Sequence, residues 1–144
     1  MAAWVPRERD EQTALFAWAH CMEGREDALR LLHHIPNGGS RNAAEAVSLK
    51  RQGVKAGVPD LFLPVARGGF HGLYIEMKRK GGRLSAEQTS WLRALRAQGF
   101  AAAVCYSFEE ARDTLMHYLS MGETRRADGA RQAKAGEAPF SKVL

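Results

Sequence analysis

Residues 57–88 read GVPDLFLPVARGGFHGLYIEMKRKGGRLSAEQ, and this stretch decides the fold because it contains two strands and the start of a helix. After a Gly-Val-Pro break, DLFLPVA at 60–66 is typical of a strand, and FHGLYIEMK at 70–78 is typical of a second. The Arg-Gly-Gly sequence at 67–69 lies between them and predicts a tight turn. The two strands are therefore expected to pair as an antiparallel hairpin.

The side chains of this hairpin divide into two faces whose composition fixes the register. With the turn centred on Gly68, residues whose numbers sum to 136 lie opposite each other, so Asp60 faces Glu76. One face is then wholly apolar, with Leu61, Leu63, Val65, Leu73, Ile75 and Met77. The opposite face carries Asp60, Phe62, Tyr74, Glu76 and Lys78. A shift of one residue would mix the two sets, so the apolar pattern predicts this pairing.

Two carboxylates and an ammonium group are thus expected together at the open end of the hairpin. Two carboxylates at close range are costly unless a cation neutralises them, and all-oxygen ligation favours Mg²⁺ or Mn²⁺ over zinc. A divalent cation, a polarised water and the nearby charge of Lys78 are what phosphodiester hydrolysis needs. The alternative is a solvated cross-strand ladder of charged residues, and the three residues alone do not decide between the two.

The rest of the chain places helices before and after the hairpin. Helices are predicted over 7–23, 26–31 and 42–52, from Ser85 to Gly99 and from Ser107 to Leu119. A short strand is predicted before the Pro-Asn-Gly-Gly turn, and a further strand is predicted over AAAVCYS at 101–107. Residues 85–88 and 107–110 each match a capping box. The buried helical stripes are expected at Leu15, Trp18, Ala19, Met22, Trp91, Leu92 and Leu95. This order predicts an α/β fold with one small mixed sheet flanked by helices.

The composition suits one modest globular domain of 144 residues, of which 45% are hydrophobic and 26% are charged. No apolar run is long enough to span a membrane and the N-terminus is not a secretory signal, so a cytoplasmic protein is expected. Cys21 and Cys105 do not form a disulfide framework or a zinc motif, and we expect two buried free thiols. The net charge of +5 favours polyanionic partners. Residues 1–121 are expected to form the domain, and residues 122–144 a flexible basic tail.

Separated motifs resemble one family of nucleases. Val58-Pro59-Asp60 and Glu76-Met77-Lys78 are similar to the paired signature of the PD-(D/E)XK nucleases. The longer string GVKAGVPDLFLPV, followed by GLYIEMKRKGGRLSAEQ, resembles one branch, the VRR-NUC domain of phage and repair nucleases. The resemblance begins at the first helix, includes HIPNGG at 34–39, and continues through AAAVCYS to the helix after it, over roughly residues 7–120. Several motifs in the same order are far more specific than one short pattern.

The resemblance implies a restriction-endonuclease-like αβββαβ core, which matches the order of elements apart from the additional helix at 42–52. It implies that Asp60 and Glu76 bind Mg²⁺ or Mn²⁺ through their carboxylates, and that Met77 contributes its backbone carbonyl. Lys78 would position or activate the attacking water. These roles follow from the family pattern and not from the spacing alone.

A glutamate of the first helix completes sites of this family, and the sequence offers two candidates. Glu8 is preferred because it stands four residues before Gln12, in an arrangement like that of the family. Glu11 lies one turn along the same face and is the alternative, although first-turn glutamates also complement the helix dipole. Gln88 matches a family glutamine near the site, but it is equally the expected capping-box partner of Ser85.

Three further features have both a functional and a structural interpretation. The Asn-Gly-Gly sequence at 37–39 resembles the family's turn beside the site, but tight-turn chemistry explains it equally well. His33 and His34 could belong to a His-metal nuclease, but no matching Asn or His follows, so one is expected in the core and one on the surface. Phe62 and Tyr74 could stack on a base, and packing in support of the carboxylates is the preferred interpretation.

These observations together predict a metal-dependent DNA endonuclease that hydrolyses phosphodiester bonds and leaves a 5′-phosphate. Stand-alone members of the resembled branch look like homodimers that cut branched DNA such as four-way (Holliday) junctions, so the same substrate and assembly are expected here. Trp4, Val5, Leu31 and Phe70 are apolar residues beyond a small core that could form part of a dimer interface. The alternative function is a DNA-binding or assembly module that keeps the fold without turnover, for which DNA would be bound but never cut.

Overall fold

The computed structural model describes residues 5–37 and 42–124, and its elements follow the predicted order. The strands are β1 His33–His34, β2 Leu61–Leu63, β3 Leu73–Met77 and β4 Ala101–Cys105. The helices are α1 Glu8–Met22, α2 Ala43–Arg51, α3 Ala86–Ala97 and α4 Phe108–Ser120, and a short 3₁₀ helix over Asp27–Leu31 follows α1. None of the helices in these two ranges is both long and apolar enough to cross a membrane.

The four strands form one mixed sheet in the order β1-β2-β3-β4. The first two pairs are antiparallel, while β3 and β4 are parallel and are connected through α3. In the hairpin, Leu61 lies opposite Ile75 and Leu63 lies opposite Leu73, which confirms the register predicted from the apolar pattern. The result is the αβββαβ core of a restriction-endonuclease-like α/β fold, with α2 inserted between β1 and β2.

The main core lies between the apolar face of the sheet and the helices α1 and α4. Its largest members are Leu15, Leu29, Leu61, Leu63, Ile75, Met77, Leu115 and Tyr118. Helix α3 packs beside β4, where it buries Leu92 and Leu95. Trp91, which was expected in the same stripe, is only half-buried, and its indole N–H donates to the carbonyl of Ala56 at 3.0 Å. This bond connects α3 to the loop that precedes β2.

The two strands of the hairpin are shorter than the sequence predicts. Strand β2 ends at Leu63 because Pro64 has no N–H to donate and the N–H of Val65 turns back to the Leu63 carbonyl at 2.9 Å. Strand β3 starts later than residue 70 because the N–H of His71 donates to the carbonyl of Gly99 at 3.0 Å. The turn at 67–70 is therefore a separate structure at the end of a longer connection.

The junction of β4 and α4 also differs from the prediction. Ser107 caps α4, since its hydroxyl accepts the N–H of Glu110 at 3.2 Å. The carboxylate of Glu110, however, accepts the N–H of Tyr106 at 2.7 Å instead of returning to Ser107. The prediction of a reciprocal capping box is therefore wrong here, and β4 ends at Cys105 because the next N–H is taken by this side chain.

The segment after α4 lies against the turn at the far end of the hairpin. The carbonyl of Gly122 accepts the N–H of Gly68 at 2.8 Å, and Glu123 forms an isolated bridge with Arg67. The hydroxyl of Thr124 accepts the N–H of Gly69 at 3.1 Å. Residues 122–124 thus pack on the body, whereas the rest of the predicted tail lies outside the described residues.

The two cysteines differ in their surroundings. Cys105 is buried, and burial raises the pKa of its thiol. Cys21 is exposed, so the prediction of two buried thiols is wrong for this residue. The physical reason is that Cys21 lies off the stripe through which α1 contacts the core at Leu15 and Ala19.

Candidate active site

Asp60 holds together three strands at one end of the sheet. It stands directly before β2, and its Oδ2 accepts the backbone N–H of Met77 at 2.8 Å. Its backbone carbonyl accepts the N–H of Ile35 at 2.7 Å and lies 2.8 Å from Nδ1 of His34. The carboxylate is therefore fixed at the open end of the hairpin, which we refer to as the catalytic end of the sheet.

Glu76 is a buried carboxylate with an incomplete set of partners. The residue is 2% exposed. Its Oε1 accepts a hydrogen bond from Nε2 of Gln88 at 2.5 Å and lies 3.2 Å from the ammonium nitrogen of Lys78, whose side chain is 11% exposed. Its Oε2 is buried and has no hydrogen-bond partner among the described residues. A buried carboxylate oxygen without a hydrogen-bond donor is costly, and a positively charged neighbour would stabilise it.

The surroundings of the two carboxylates favour their protonated forms when no cation neutralises them. Burial raises the pKa of Glu76 to about 7, and the negative charge of Asp60 adds to the effect. The pKa of Asp60 is also raised, chiefly by burial, although the N–H of Met77 and the charge of Lys78 act in the opposite direction. Paired carboxylates of this kind are stabilised as anions when a cation binds between them.

Gln88 performs both of the roles that its position in the sequence allows. Its Oε1 accepts the N–H of Ser85 at 2.9 Å while the hydroxyl of Ser85 accepts the N–H of Gln88 at 3.1 Å, which completes the capping box of α3. The amide nitrogen remains free to donate, and it donates to Glu76. The cap therefore fixes the orientation of the amide, and the amide fixes one oxygen of the carboxylate.

The structure gives the two glutamates of α1 different partners. Oε2 of Glu11 accepts the N–H of Phe108, the first residue of α4, at 2.7 Å. Oε1 of Glu8 accepts the N–H of Arg79, the residue after Lys78, at 3.2 Å. The charge of Glu8 contributes, as a minor cause, to the raised pKa values of Asp60 and Glu76. Glu8 thus lies beside the carboxylates, and Glu11 connects two helices.

An open cleft separates the first turns of α1 from the catalytic end of the sheet. It is lined by Glu8, Arg9, Gln12, Thr13, His34, Asp60 and Met77. Glu76 and Lys78 do not line this cleft. Within residues 5–37 and 42–124, no three His, Cys, Asp or Glu side chains converge closely enough to hold an ion without other ligands.

The donor set of the site nevertheless fits a hard divalent cation. The sequence predicts two carboxylates and one backbone carbonyl, from Asp60, Glu76 and Met77, and oxygen ligands of this type suit Mg²⁺ or Mn²⁺. Such ions keep several water ligands, so a set of three protein ligands is sufficient. The buried, unpartnered Oε2 of Glu76 is the atom that a cation would satisfy.

His34 lines the cleft, although the sequence suggested for it only a His-metal site or a structural role. The prediction that one histidine of the pair is buried is wrong, because both His33 and His34 are exposed. Strand β1 pairs only with β2 and has only two residues, so it lies at the edge of the sheet. No local signal marks His34, since its position beside Asp60 follows from the pairing of β1 with β2.

Phe62 and Tyr74 stack on each other rather than presenting free rings. Their centroids lie 4.2 Å apart at an interplanar angle of 15°. The ring of Phe100 meets both of them edge-on, at 5.9 Å and 5.4 Å. Of the Asn-Gly-Gly turn, only Asn37 lies within the described residues, and its side-chain amide donates to the carbonyl of Val58 at 3.3 Å.

The comparisons with known proteins bear on the family and the fold. The family model of the VRR-NUC domain matches residues 1–109. A solved structure described as a VRR_NUC domain protein superposes with a TM-score of 0.71 at 28% sequence identity, over 84% of this chain and 94% of that chain. No curated protein matches the sequence. The chain therefore belongs to the VRR-NUC family, and its body is a domain of the nuclease type.

Proposed function

We propose that this protein is a Mg²⁺- or Mn²⁺-dependent endodeoxyribonuclease that hydrolyses phosphodiester bonds at the catalytic end of the sheet. The observation that carries the proposal is the buried carboxylate of Glu76, with one unpartnered oxygen, next to Asp60 and Lys78. In a surface ladder of charged residues the carboxylates would be solvated, and their pKa values would stay near the ordinary ones. A buried and a half-buried carboxylate whose pKa values are both raised are typical of a functional site instead.

Asp60, Glu76 and the carbonyl of Met77 would hold the cation, which supplies Lewis-acid stabilisation of the phosphate charge when it is bound. The side chain of Asp60 is oriented by the N–H of Met77, and Glu76 is oriented by Gln88. Neither carboxylate has to reorganise when a substrate arrives, which is the condition under which fixed charges stabilise a transition state well.

Lys78 and Glu8 would act on the reacting groups from two sides. The ammonium of Lys78 lies next to Glu76 and shares its face of the strand, so it can stabilise negative charge on the attacking water or on a phosphate oxygen. Glu8 lines the cleft on the side of α1 and would bind or orient a water molecule there. Gln88 acts through Glu76 and is a positioning residue.

The direct test is cleavage of a labelled four-way junction, a linear duplex and a single strand in Mg²⁺, in Mn²⁺ or in EDTA. The wild type is compared with Lys78→Ala, and Lys80→Ala serves as the matched control because it removes the same charge from an exposed neighbour. We expect cutting in both metals but not in EDTA, unchanged cutting by Lys80→Ala, and a loss of about 100-fold or more in Lys78→Ala. Circular dichroism checks that both variants are folded.

Two results would overturn the proposal. DNA binding without cutting in every metal would identify a non-catalytic DNA-binding or assembly module. Equal cutting by the wild type and by folded Lys78→Ala would mean that the buried ion pair has only a structural role. A product that a DNA ligase can rejoin would support the 5′-phosphate expected for this class of reaction.

Branched DNA is the proposed substrate, and a homodimer is the proposed assembly, because two sites related by a two-fold axis suit paired nicks at a junction. Val5, Leu31 and Phe70 are 44%, 51% and 37% exposed, so all three are available for contacts with a second copy. Trp4 lies outside the described residues. Sedimentation velocity of the wild type tests the assembly, and the ranking of junction, duplex and single strand in the cleavage assay tests the substrate.

A further inference from the structure

Helix α2 is unusual among the described helices because it buries no side chain. The other three α-helices and the 3₁₀ helix each contribute at least one residue to the core. Val47, near the middle of α2, is 49% exposed. A helix of nine residues is marginal in isolation, and only Ala46 and Leu49 of this one are half-buried. Helix α2 therefore contributes little to the stability of the body.

The outer surface of α2 and of the loop after it is basic. Lys50 and Arg51 lie in the last turn, Lys55 follows in the loop, and all three are exposed. Within the described parts of the chain none of them forms an ion pair. Glu45 is the only acidic residue between 42 and 58, and it lies about 140° around the helix from Lys50. This surface is complementary to a polyanion.

The base of α2 is anchored firmly, although the helix itself is not packed. The carbonyl of Ala56 accepts the indole N–H of Trp91 from α3 at 3.0 Å. Gly57 has φ +87°, and a Cβ at this position would lie 2.6 Å from the backbone carbon of Glu87. The carbonyl of Val58 accepts the amide of Asn37, which joins the two ends of the excursion between β1 and β2. The end of the loop that follows α2 is therefore held by α3 and by the segment after β1.

This anchored base lies at the catalytic end of the sheet. The chain leaves the sheet after His34, forms α2, and returns at Asp60, two residues after Val58. The first turn of α3, which contacts Gly57, also carries Gln88, the partner of Glu76. The base of α2 therefore contacts the helix end that orients the carboxylate of Glu76.

We propose that α2 and the loop to Lys55 form an arm that binds the sugar-phosphate backbone of double-helical DNA beside the cleavage site. The inference rests on the proposed nuclease function, because it assigns a further contact to the same substrate. Lys50 and Arg51 would each neutralise a phosphate of the flanking duplex, while the anchored base sets the distance from those phosphates to Asp60. The arm is an element for binding and positioning and takes no part in the chemistry.

The test compares the double variant Lys50→Ala/Arg51→Ala with Arg25→Ala/Arg30→Ala. Both remove two exposed positive charges, but Arg25 and Arg30 lie in the segment between α1 and β1 and not on α2 or its loop. Binding of a labelled junction and of a linear duplex is measured by fluorescence anisotropy in EDTA, at several salt concentrations from about 50 to 200 mM.

We expect Lys50→Ala/Arg51→Ala, the arm variant, to bind DNA about 30-fold more weakly at 0.15 M salt. The slope of its log binding constant against log salt concentration should be shallower by roughly two, because each phosphate contact contributes about 0.9 to this slope. The control variant should bind like the wild type. Equal losses in the two variants would show that only net charge matters, and a wild-type affinity in the arm variant would show that α2 does not touch DNA. Either result overturns the inference.

A change of assembly would also overturn it. If the arm variant alone loses dimers in sedimentation velocity, α2 contacts a second copy of the chain rather than DNA. The proposed function remains separable throughout, because it is judged on cleavage by the wild type. A wild type that cuts DNA together with an arm variant that binds it unchanged refutes only the arm.

Discussion

The two glutamates of α1 allow a sharp prediction, because the structure gives them separate roles that the sequence leaves open. Glu11 accepts the N–H of Phe108 at the start of α4, so we expect Glu11→Ala to lower stability. Glu8 lies at the cleft beside Asp60, so we expect Glu8→Ala to weaken metal binding. The two substitutions remove the same group from two positions of the first turn of one helix, and each serves as the control for the other.

The magnitudes follow from the contacts of each carboxylate. A hydrogen bond to a charged group contributes roughly 1.5–3 kcal/mol, and a negative charge at a helix N-terminus adds about 0.3–1 kcal/mol, so Glu11→Ala should cost about 2 kcal/mol. For a chain of this size that corresponds to a fall in Tm of roughly 4–8 °C. Glu8 is exposed, and its removal should change the free energy of unfolding by less than about 0.5 kcal/mol. The loss of one nearby negative charge should weaken Mn²⁺ binding by about tenfold or more.

The assay combines thermal unfolding in EDTA with a calorimetric titration of Mn²⁺ in the absence of DNA. We expect a lowered Tm with unchanged Mn²⁺ affinity for Glu11→Ala, and an unchanged Tm with lowered Mn²⁺ affinity for Glu8→Ala. If Glu11→Ala weakens Mn²⁺ binding while Glu8→Ala leaves it intact, the roles are exchanged and the assignment from the structure is refuted. If neither variant alters Mn²⁺ affinity, α1 contributes no ligand to the site.

Three further predictions concern the carboxylate, the core and the base of α2. Glu76 has a pKa of about 7 in the folded protein and 4.5 ordinarily, so between these pH values the folded state retains a proton that the unfolded chain releases. The free energy of unfolding without metal should therefore fall by about 3 kcal/mol as the pH rises from 4.5 to 7. Urea unfolding at pH 5 and pH 8 should show this fall in the free energy of unfolding for the wild type but not for Glu76→Gln. The same change in the free energy of unfolding in both proteins would contradict the prediction. Tyr118→Phe should cost about 1–3 kcal/mol without changing cleavage, because the buried hydroxyl donates to Val65 at 2.6 Å and accepts the N–H of Arg67 at 3.2 Å. A shift in cleavage by the folded variant would argue against a purely structural role. Gly57→Ala should lower both stability and DNA cutting, because the new Cβ would displace Glu87. Gly24→Ala is the control and should change neither, because the space around Gly24 is open. Normal cutting by Gly57→Ala would mean that the base of α2 is free to adjust.

The register of the hairpin could be predicted from the sequence because its apolar residues alternate without a break. A shift of one residue would have placed apolar side chains opposite polar ones, and the position of the turn selected among the remaining pairings. The apolar pattern and the turn together therefore specified the core and the positions of Asp60 and Glu76. The lengths of the strands could not be predicted in the same way. They depend on hydrogen bonds to residues distant in the sequence, such as the one from the N–H of His71 to the carbonyl of Gly99, and no local pattern predicts these bonds.

The choice between Glu8 and Glu11 was beyond the sequence for a similar reason. Both lie in the first turn of one helix and on the same face, so their local environments are equivalent. What separates them is contact with Phe108, 97 positions further along the chain, and with Arg79, 71 positions further along. The prediction of a reciprocal capping box at 107–110 was wrong because the carboxylate of Glu110 accepts the backbone N–H of Tyr106 instead of that of Ser107.

The features that do not serve stability are concentrated at one end of the molecule. The apolar face between α1 and α4 is closed and well packed, whereas the catalytic end contains a buried carboxylate oxygen without a donor and adjoins a helix that buries nothing. Each of these is unfavourable for the isolated chain. We propose that a cation offsets the first and that DNA phosphates offset the second, since function is expected where a site departs from what stability alone would require.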